Sequence, residues 1–287
     1  MRKILPLPKT LVREMLTNFM IEDEGYGDIT SEILFPVDKQ VQARIFTRET
    51  CVLSGAVLLP EIFEPEGCEV VLKTSDGDKL KKDQDIALIY GPLKKILLRE
   101  RVTLNLLSRM CGIATKTYSF TKQIPDTSET VIAATRKTTP GLRLLEKYAV
   151  SCGGGDTHRL RLDDMVLIKD NHRVLFKNLT EAIIALKKHL SFSKKIEVEV
   201  EDFEKMIEAA EAGADIIMLD NMTPEQVTEA IKILENKGLR DRVILELSGG
   251  INESNISKYA ELGADVISSG ALTHSYRSID LSLDIIK

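Results

Sequence analysis

The residues best equipped for chemistry lie between positions 133 and 172, in the runs A-T-R-K-T-T-P-G-L-R, C-G-G-G-D-T-H-R and D-D-M-V-L-I-K-D-N-H. This stretch holds seven Lys/Arg against five Asp/Glu, while the whole chain carries a net charge of −5. Packing gives no reason to gather Arg136, Lys137, His158, Arg159 and Lys169 around apolar strands, whereas a substrate rich in carboxylate or phosphate does. Further along, Glu199 and Asp220 offer anionic oxygens suited to magnesium, directly or through water, although their spacing alone does not establish a metal site. The turns S-G-G-I at 248–251 and S-S-G-A at 268–271 present small residues and accessible backbone N–H groups, a phosphate-binding chemistry. His158, His172, His189 and His274 form neither H-x-H nor H-E-x-x-H, and G-x-S-x-G is absent, so zinc hydrolysis and serine acyl transfer fit poorly.

These residues need a scaffold that brings distant segments to one rim. From residue 131 onward, apolar strand-like runs alternate with helical patterns, which is the signature of a parallel sheet or barrel. Six strands are expected, near 131–137, 165–170, 196–201, 215–220, 243–248 and 265–270. Thr223 before Pro224 marks a helix start, and Gly213, Gly238 and Gly263 mark helix ends. A-G-A-D-I-I-M-L-D and L-G-A-D-V-I-S-S-G are near-repeats of one helix-to-strand unit. In a (β/α) barrel the ligand site lies at the carboxyl ends of the strands. The strand ends here are Arg136 and Lys137, Lys169 and Asp170, Glu199 and Glu201, Asp220 and Asn221, 248–250, and 268–270.

Upstream, residues 11–20 read as an amphipathic helix, and E-G-Y-G-D-I-T-S reads as a turn-rich loop, either functional or a plain connector. Short β-like runs between 40 and 90 indicate a small β-rich domain. Its S-D-G-D-K-L-K-K-D-Q-D segment is similar to lipoyl and biotinyl carriers but lacks a lysine between the small or Met neighbours a carrier needs. A helical pattern over 94–115 carries Arg101, Asn105 and Arg109 along one face. The net charge argues against a nucleic-acid binder. Cys51, Cys68, Cys111 and Cys152 form no C-x-x-C pair and are expected as buried thiols. No signal-like core and no run long enough to span a bilayer are visible, so a cytoplasmic protein is expected.

The segments T-R-K-T-x-P-G-x-R, G-G-G-x-x-H-R, L-I-K-D-N-H, E-V-E-V-E, I-M-L-D-N-M, L-E-x-S-G-G-I and D-V-I-S-S-G-A-L-T-H-S, with E-R-V-T-L-N-L-L-S-R-M-C-G-I-A-T and G-Y-G-D-I-T upstream, resemble the quinolinate phosphoribosyltransferase family, in order and over nearly the whole chain. Thr157, where Asn often precedes the His-Arg pair, and Arg161, where Gly is usual, depart from the commonest bacterial pattern. The resemblance implies an α/β protein with an N-terminal α+β open-sandwich domain (1–110, with 275–287 packed on it) and an incomplete barrel of about six strands (111–274). It implies transfer of phosphoribosyl from phosphoribosyl pyrophosphate to quinolinate with decarboxylation, accompanied by Mg2+, in a homodimer with shared sites or a hexamer. Carried onto this chain, the catalytic residues are Lys137, Lys169, Glu199 and Asp220. Thr135, Arg136, His158, Arg159, Ser248, Gly249, Gly250, Ser269, Gly270 and His274 join them in substrate binding, and Arg101 is the arginine given by a partner subunit. Glu199 and Asp220 are the metal residues. Rival readings are a molybdenum-transport homologue, which typically departs at L-I-K-D-N-H, a nicotinate phosphoribosyltransferase, and a non-catalytic sugar-phosphate sensor, which has no need of Lys169, Glu199 and Asp220 together.

Overall fold

A computed structural model of the chain describes residues 4–174 and 176–286; the outermost positions of the expected domains, 1–3 and 287, lie outside them. The elements in chain order are α1 (Lys9–Glu24), α2 (Ile29–Leu34), β1 (Gln40–Thr47), β2 (Cys51–Val52), α3 (Leu58–Phe63), β3 (Glu69–Leu72), β4 (Lys79–Leu80), β5 (Asp85–Pro92) and α4 (Leu93–Thr121). Then come β6 (Val131–Ala133), α5 (Arg143–Cys152), β7 (Val166–Ile168), α6 (Asp170–Arg173), α7 (Leu179–His189), β8 (Ile196–Val200), α8 (Phe203–Glu211), β9 (Ile216–Asp220), α9 (Pro224–Asn236), β10 (Ile244–Ser248), β11 (Val266–Ser268), α10 (Ala271–His274) and β12 (Leu281–Ile286). They group into two compact units, one of Met1–Tyr118, Thr138–Gly154 and Leu272–Lys287, the other of Ser119–Lys137 and Gly155–Ala271. The boundary drawn from sequence at residue 110 falls inside α4.

The first unit is built on an antiparallel sheet of order β12-β1-β5-β3. β12 lies along β1 from Gln42 opposite Ile286 to Thr47 opposite Leu281. The inner face of the sheet supplies Ile45 and Ile89 to a core shared with Phe63, Ile96 and Leu107, all fully buried. Two glycines are required here by close approach. A Cβ on Gly112 would sit 2.3 Å from the carbonyl oxygen of Arg277, and one on Gly153 would sit 2.4 Å from that of Ala114. Gly153, which opens the glycines of the C-G-G-G-D-T-H-R run, therefore serves the packing of α5 on α4. D-I-T-S, read as loop, is a capped helix start: Asp28 Oδ1 accepts the N–H groups of Thr30 and Ser31 at 3.0 and 3.2 Å. Residues that favour turns also favour N-caps, which is why the two readings compete. All four cysteines are buried free thiols.

The second unit is a six-stranded sheet of order β6-β11-β10-β9-β8-β7. All five pairings are parallel. The six strands match the six expected in number and order. β6 is the shortest relative to expectation, ending at Ala133, beside which Ala134 donates to the carbonyl of Asp156 at 2.9 Å. α9 carries a capping box, with Gln226 N–H on Thr223 Oγ1 and Thr223 N–H on Gln226 Oε1. Gly213 and Gly238 end their helices in the left-handed region, at φ 82° and 65°. The segment stopped by Gly263 holds only a 3-10 turn, Ile256–Lys258, where an α-helix was expected. No helix among the described residues is long and apolar enough to cross a membrane.

The near-repeats do identical work. Asp215 Oδ2 accepts the N–H of Ile196 at 2.7 Å, and Asp265 Oδ2 accepts that of Leu245 at 2.7 Å. Each aspartate, placed at the start of its own strand, satisfies the first free donor of the neighbouring strand. Removing either leaves a strand N–H unpartnered, so Asp215→Ala and Asp265→Ala should each lower unfolding free energy by about 1–3 kcal/mol. A shift of the urea midpoint with unchanged slope checks this, and unshifted midpoints would refute it.

Candidate active site

The carboxyl ends of the parallel strands all open on one rim, as strand polarity demands. Thr135, Arg136 and Lys137 follow β6, Lys169 follows β7, Glu199 lies in β8, Asp220 ends β9, Ser248 ends β10 ahead of Gly249 and Gly250, and Ser269 and Gly270 follow β11. His158 and Arg159 reach this unit through the segment after Asp156, which forms a parallel bridge with Ala133. Two of the predicted residues lie in the other unit. Arg101 is on α4, its side chain 63% exposed and 3.9 Å from Glu100. His274 ends α10, exposed, with Nδ1 2.7 Å from Ser275 Oγ.

One half of the rim is acidic and paired. Lys169 Nζ donates to Glu199 Oε2 at 2.5 Å, with Glu199 almost wholly buried. Asp220 sits on the next strand and holds its proton more tightly than an ordinary aspartate, first through burial and then through the charge of Glu199, with Lys169 acting in the opposite sense. Asn221 occupies the left-handed region at φ 56° and donates Nδ2–H to Asp220 Oδ2 at 2.6 Å. Two neighbouring carboxylates, one of them destabilised by the other, are a donor set that a hydrated magnesium ion fits.

The glycine turn after β10 is fixed by the same corner. Gly249 and Gly250 both have positive φ, 89° and 64°, and a Cβ on Gly249 would meet Asn221 Oδ1 at 2.4 Å. Ser268 Oγ–H donates to Ser248 Oγ at 3.2 Å across the adjoining strands. Ser269 uses its hydroxyl internally, donating to the carbonyl of Ile251 at 2.6 Å and accepting the N–H of Ala271 at 3.2 Å. It shapes the second turn from within.

The other half of the rim gathers cations. Thr135 Oγ1 accepts the N–H of Lys137 at 3.1 Å and folds the T-R-K segment. Arg159 loses some of its grip on its proton through burial and through the charge of Arg136. Beneath them lies a group that sequence reading missed. His158 Nε2 is 3.1 Å from Glu246 Oε2 and 3.5 Å from Glu197 Oε2, and both glutamates are buried within the sheet. Burial opposes a charge on this imidazole, while the two glutamates facing Nε2 favour one and raise its pKa. The N–H of Arg159 approaches Nδ1 at 2.7 Å and opposes a second ring proton. Geometry decides between the two tendencies: Nδ1 keeps its lone pair for Arg159, and Nε2 carries the proton that faces the carboxylates. Glu197 binds its proton more tightly than an ordinary glutamate, through burial first, with Glu246 adding to the effect and His158 and Arg159 opposing it.

The arrangement offers cations for carboxylates, paired acids for a cation-stabilised pyrophosphate, and glycine turns for a phosphate. The family model for the quinolinate phosphoribosyl transferase C-terminal domain matches residues 113–284, and that for the N-terminal domain matches 28–111. The chain is 45% identical over 276 residues to a probable carboxylating nicotinate-nucleotide pyrophosphorylase of Methanothermobacter thermautotrophicus, covering 96% of this chain and 98% of the relative. A probable enzyme of the same name from Bacillus subtilis is 39% identical, covering 96% and 93%. Among solved structures, the nicotinate-nucleotide pyrophosphorylase of Francisella tularensis superimposes with a TM-score of 0.90 at 36% identity, covering 99% of each chain. The parallel rim, its charges and these likenesses agree, and the chain belongs to the quinolinate phosphoribosyl transferase family.

Proposed function

We infer that the chain transfers the phosphoribosyl group of phosphoribosyl pyrophosphate to the ring nitrogen of quinolinate, with loss of carbon dioxide, giving nicotinate mononucleotide and pyrophosphate on the way to NAD. The observation that carries this reading is the division of one strand-end rim into a cationic half, Arg136, Lys137 and Arg159, and an acidic half bounded by glycine turns. Quinolinate has two adjacent carboxylates, and its cations lie in the first half, with Lys169 at the border and His158 in the wall. The ribose and phosphates face Glu199, Asp220 and the turns at Ser248, Gly249, Gly250 and Gly270. Glu199 and Asp220 would hold a magnesium ion, which would supply charge neutralisation for the pyrophosphate. As pyrophosphate leaves, the ribose gains positive charge that Glu199 and Asp220 stabilise electrostatically. The cationic half holds the pyridine nitrogen against the anomeric carbon, so alignment does the work of a catalyst. Once alkylated, the ring is a pyridinium whose positive charge stabilises the carbanion left on the ring carbon when the adjacent carboxylate departs as carbon dioxide; a proton from solvent then fills that position, and no general base is needed.

Incubation of the purified protein with quinolinate, phosphoribosyl pyrophosphate and magnesium should release carbon dioxide and nicotinate mononucleotide in equal amounts. Nicotinate in place of quinolinate should give little product. Comparable turnover of both would favour a nicotinate transferase instead.

Asp220→Ala and Glu199→Ala should raise the magnesium concentration for half-maximal rate by on the order of tenfold or more. An unaltered magnesium titration in both variants counts against their assignment.

Arg101 completes the site of a partner in a twofold dimer. Arg101→Ala and Lys137→Ala subunits, each inactive alone, should then complement after mixing and refolding, because each heterodimer regains one intact site. With random pairing about half the dimers are mixed, so activity recovers to roughly a quarter of wild type. Heterodimers proven by mass spectrometry but without activity would remove Arg101 from the partner's site.

A further inference from the structure

The glutamates beneath the cationic half have no place in the reaction described above. Glu246 is 1% exposed and Glu197 is 0% exposed, yet Glu197 has neither carboxylate oxygen in a hydrogen bond among the described residues, and Glu246 has only one. A parallel sheet covered on both faces normally carries apolar side chains at such positions. Two acids there are expensive, and replacing buried ionic groups by apolar ones of similar volume is often neutral or stabilising. Fold stability does not account for them.

Their one hydrogen-bonded partner leads directly to the site. His158 adopts φ 51°, a left-handed conformation that non-glycine residues seldom take. Three bonds hold it there. Its N–H donates to Asp156 Oδ1 at 2.7 Å, its Nδ1 accepts the N–H of Arg159 at 2.7 Å, and its Nε2 meets Glu246 Oε2 at 3.1 Å. The ring is therefore locked at both nitrogens, and the second lock is the backbone of Arg159. Arg159 in turn donates from Nη1 to the carbonyl of Met165 at 3.3 Å and lies within electrostatic range of Glu197. Burial, backbone strain and hydrogen bonding all run in one line from Glu246 to the arginine.

We propose that Glu246, with Glu197 beside it, is a positioning residue for quinolinate, acting through the imidazole of His158 to fix the backbone and direction of Arg159. The proposal rests on the reaction inferred above. Glu246 fixes which ring nitrogen carries the proton, because an acceptor at Nε2 leaves Nδ1 with the lone pair that Arg159 needs. Glu197 lies below the cations, within electrostatic range of Arg159. A bound transition metal is a competing use of the same three groups, whose ligand atoms lie within 4.8 Å of one another. It would have to displace the Nε2 proton beside the cationic Arg159, which disfavours it.

The test compares Glu246→Leu, which fills the space without an acceptor, with Glu246→Gln, which keeps one. Quinolinate affinity is read by calorimetry beside turnover. Absent wild-type turnover then counts against the reaction, while affinity alone judges the relay. Glu246→Leu should weaken quinolinate about tenfold in KM and affinity and leave the KM for phosphoribosyl pyrophosphate within about twofold. Glu246→Gln should recover most of that loss. In a double-mutant cycle, Glu246→Leu should add little to Arg159→Ala, because both remove the same interaction. Wild-type quinolinate affinity in a normally melting Glu246→Leu variant overturns the proposal, as does full additivity with Arg159→Ala. Should Glu246→Leu fail to fold, the Gln variant still decides: a normally melting Glu246→Gln that loses quinolinate as severely as Arg159→Ala refutes a relay that needs only an acceptor. One equivalent of tightly bound metal, with quinolinate affinity lost to a chelator, replaces the relay by a metal site.

Discussion

Gathering cations for an anionic substrate raises the energy of the empty protein, and the second unit is arranged around that constraint. Lys169 rests on Glu199, and the Arg136–Arg159 side is underlain by Glu197 and Glu246 through His158. Each carboxylate comes from a strand of the parallel sheet and not from a loop, so its position is set by strand register. The site is thereby held in shape before any ligand arrives, which is the condition under which fixed charges stabilise a transition state most effectively. Lys169 and Glu199 also constrain each other: while bonded together, neither offers its full charge to a second partner.

Backbone strain follows the same rim. The described residues with positive φ other than glycine are Asp83, His158 and Asn221, and two of the three belong to the site. His158 is held by its locks to Asp156, Arg159 and Glu246. Asn221 is held by Asp220 and by the carbonyl of Ser248, to which its N–H donates at 2.9 Å. The glycine turn then packs against Asn221 so closely that no side chain fits at Gly249. A strained asparagine and a bare glycine thus fix one another, joining the acid that ends β9 to the turn after β10.

Much of this was legible in the chain because polarity and period carry it. Alternation of apolar runs with helical patterns identified all six parallel strands, and reading their carboxyl ends located Lys169, Glu199, Asp220 and the turn at Ser248. Where the reading failed, one signal had two physical meanings. I-E-V-E-V looks like a half-exposed strand with glutamates facing water, but every residue of β8 is buried. Glu197 was therefore passed over, and Glu246, in L-E-L-S, with it. The clue available was that covered parallel strands should read as unbroken apolar runs, so an acid inside one marks a special position. Gly153 shows the converse ambiguity, since a glycine required by the approach of α4 looks no different in sequence from one required by a phosphate.

The aspartates of the two near-repeats complete the contrast between acids that build the fold and acids that build the site. Asp215 and Asp265 lie at the amino ends of their strands, and each takes one neighbouring N–H that the sheet leaves over, Asp265 also meeting Arg240 Nη2 at 3.0 Å. Glu199, Glu246 and Asp220 lie farther along the same sheet, toward the carboxyl ends, where their partners are a lysine, a histidine and an asparagine side chain. Backbone donors are fixed once the sheet forms, whereas side-chain donors exchange partners when a charged ligand enters. Strand polarity therefore sets the two aspartates at the amino ends apart from Glu199 and Asp220 toward the carboxyl ends, with Glu197 and Glu246 between them.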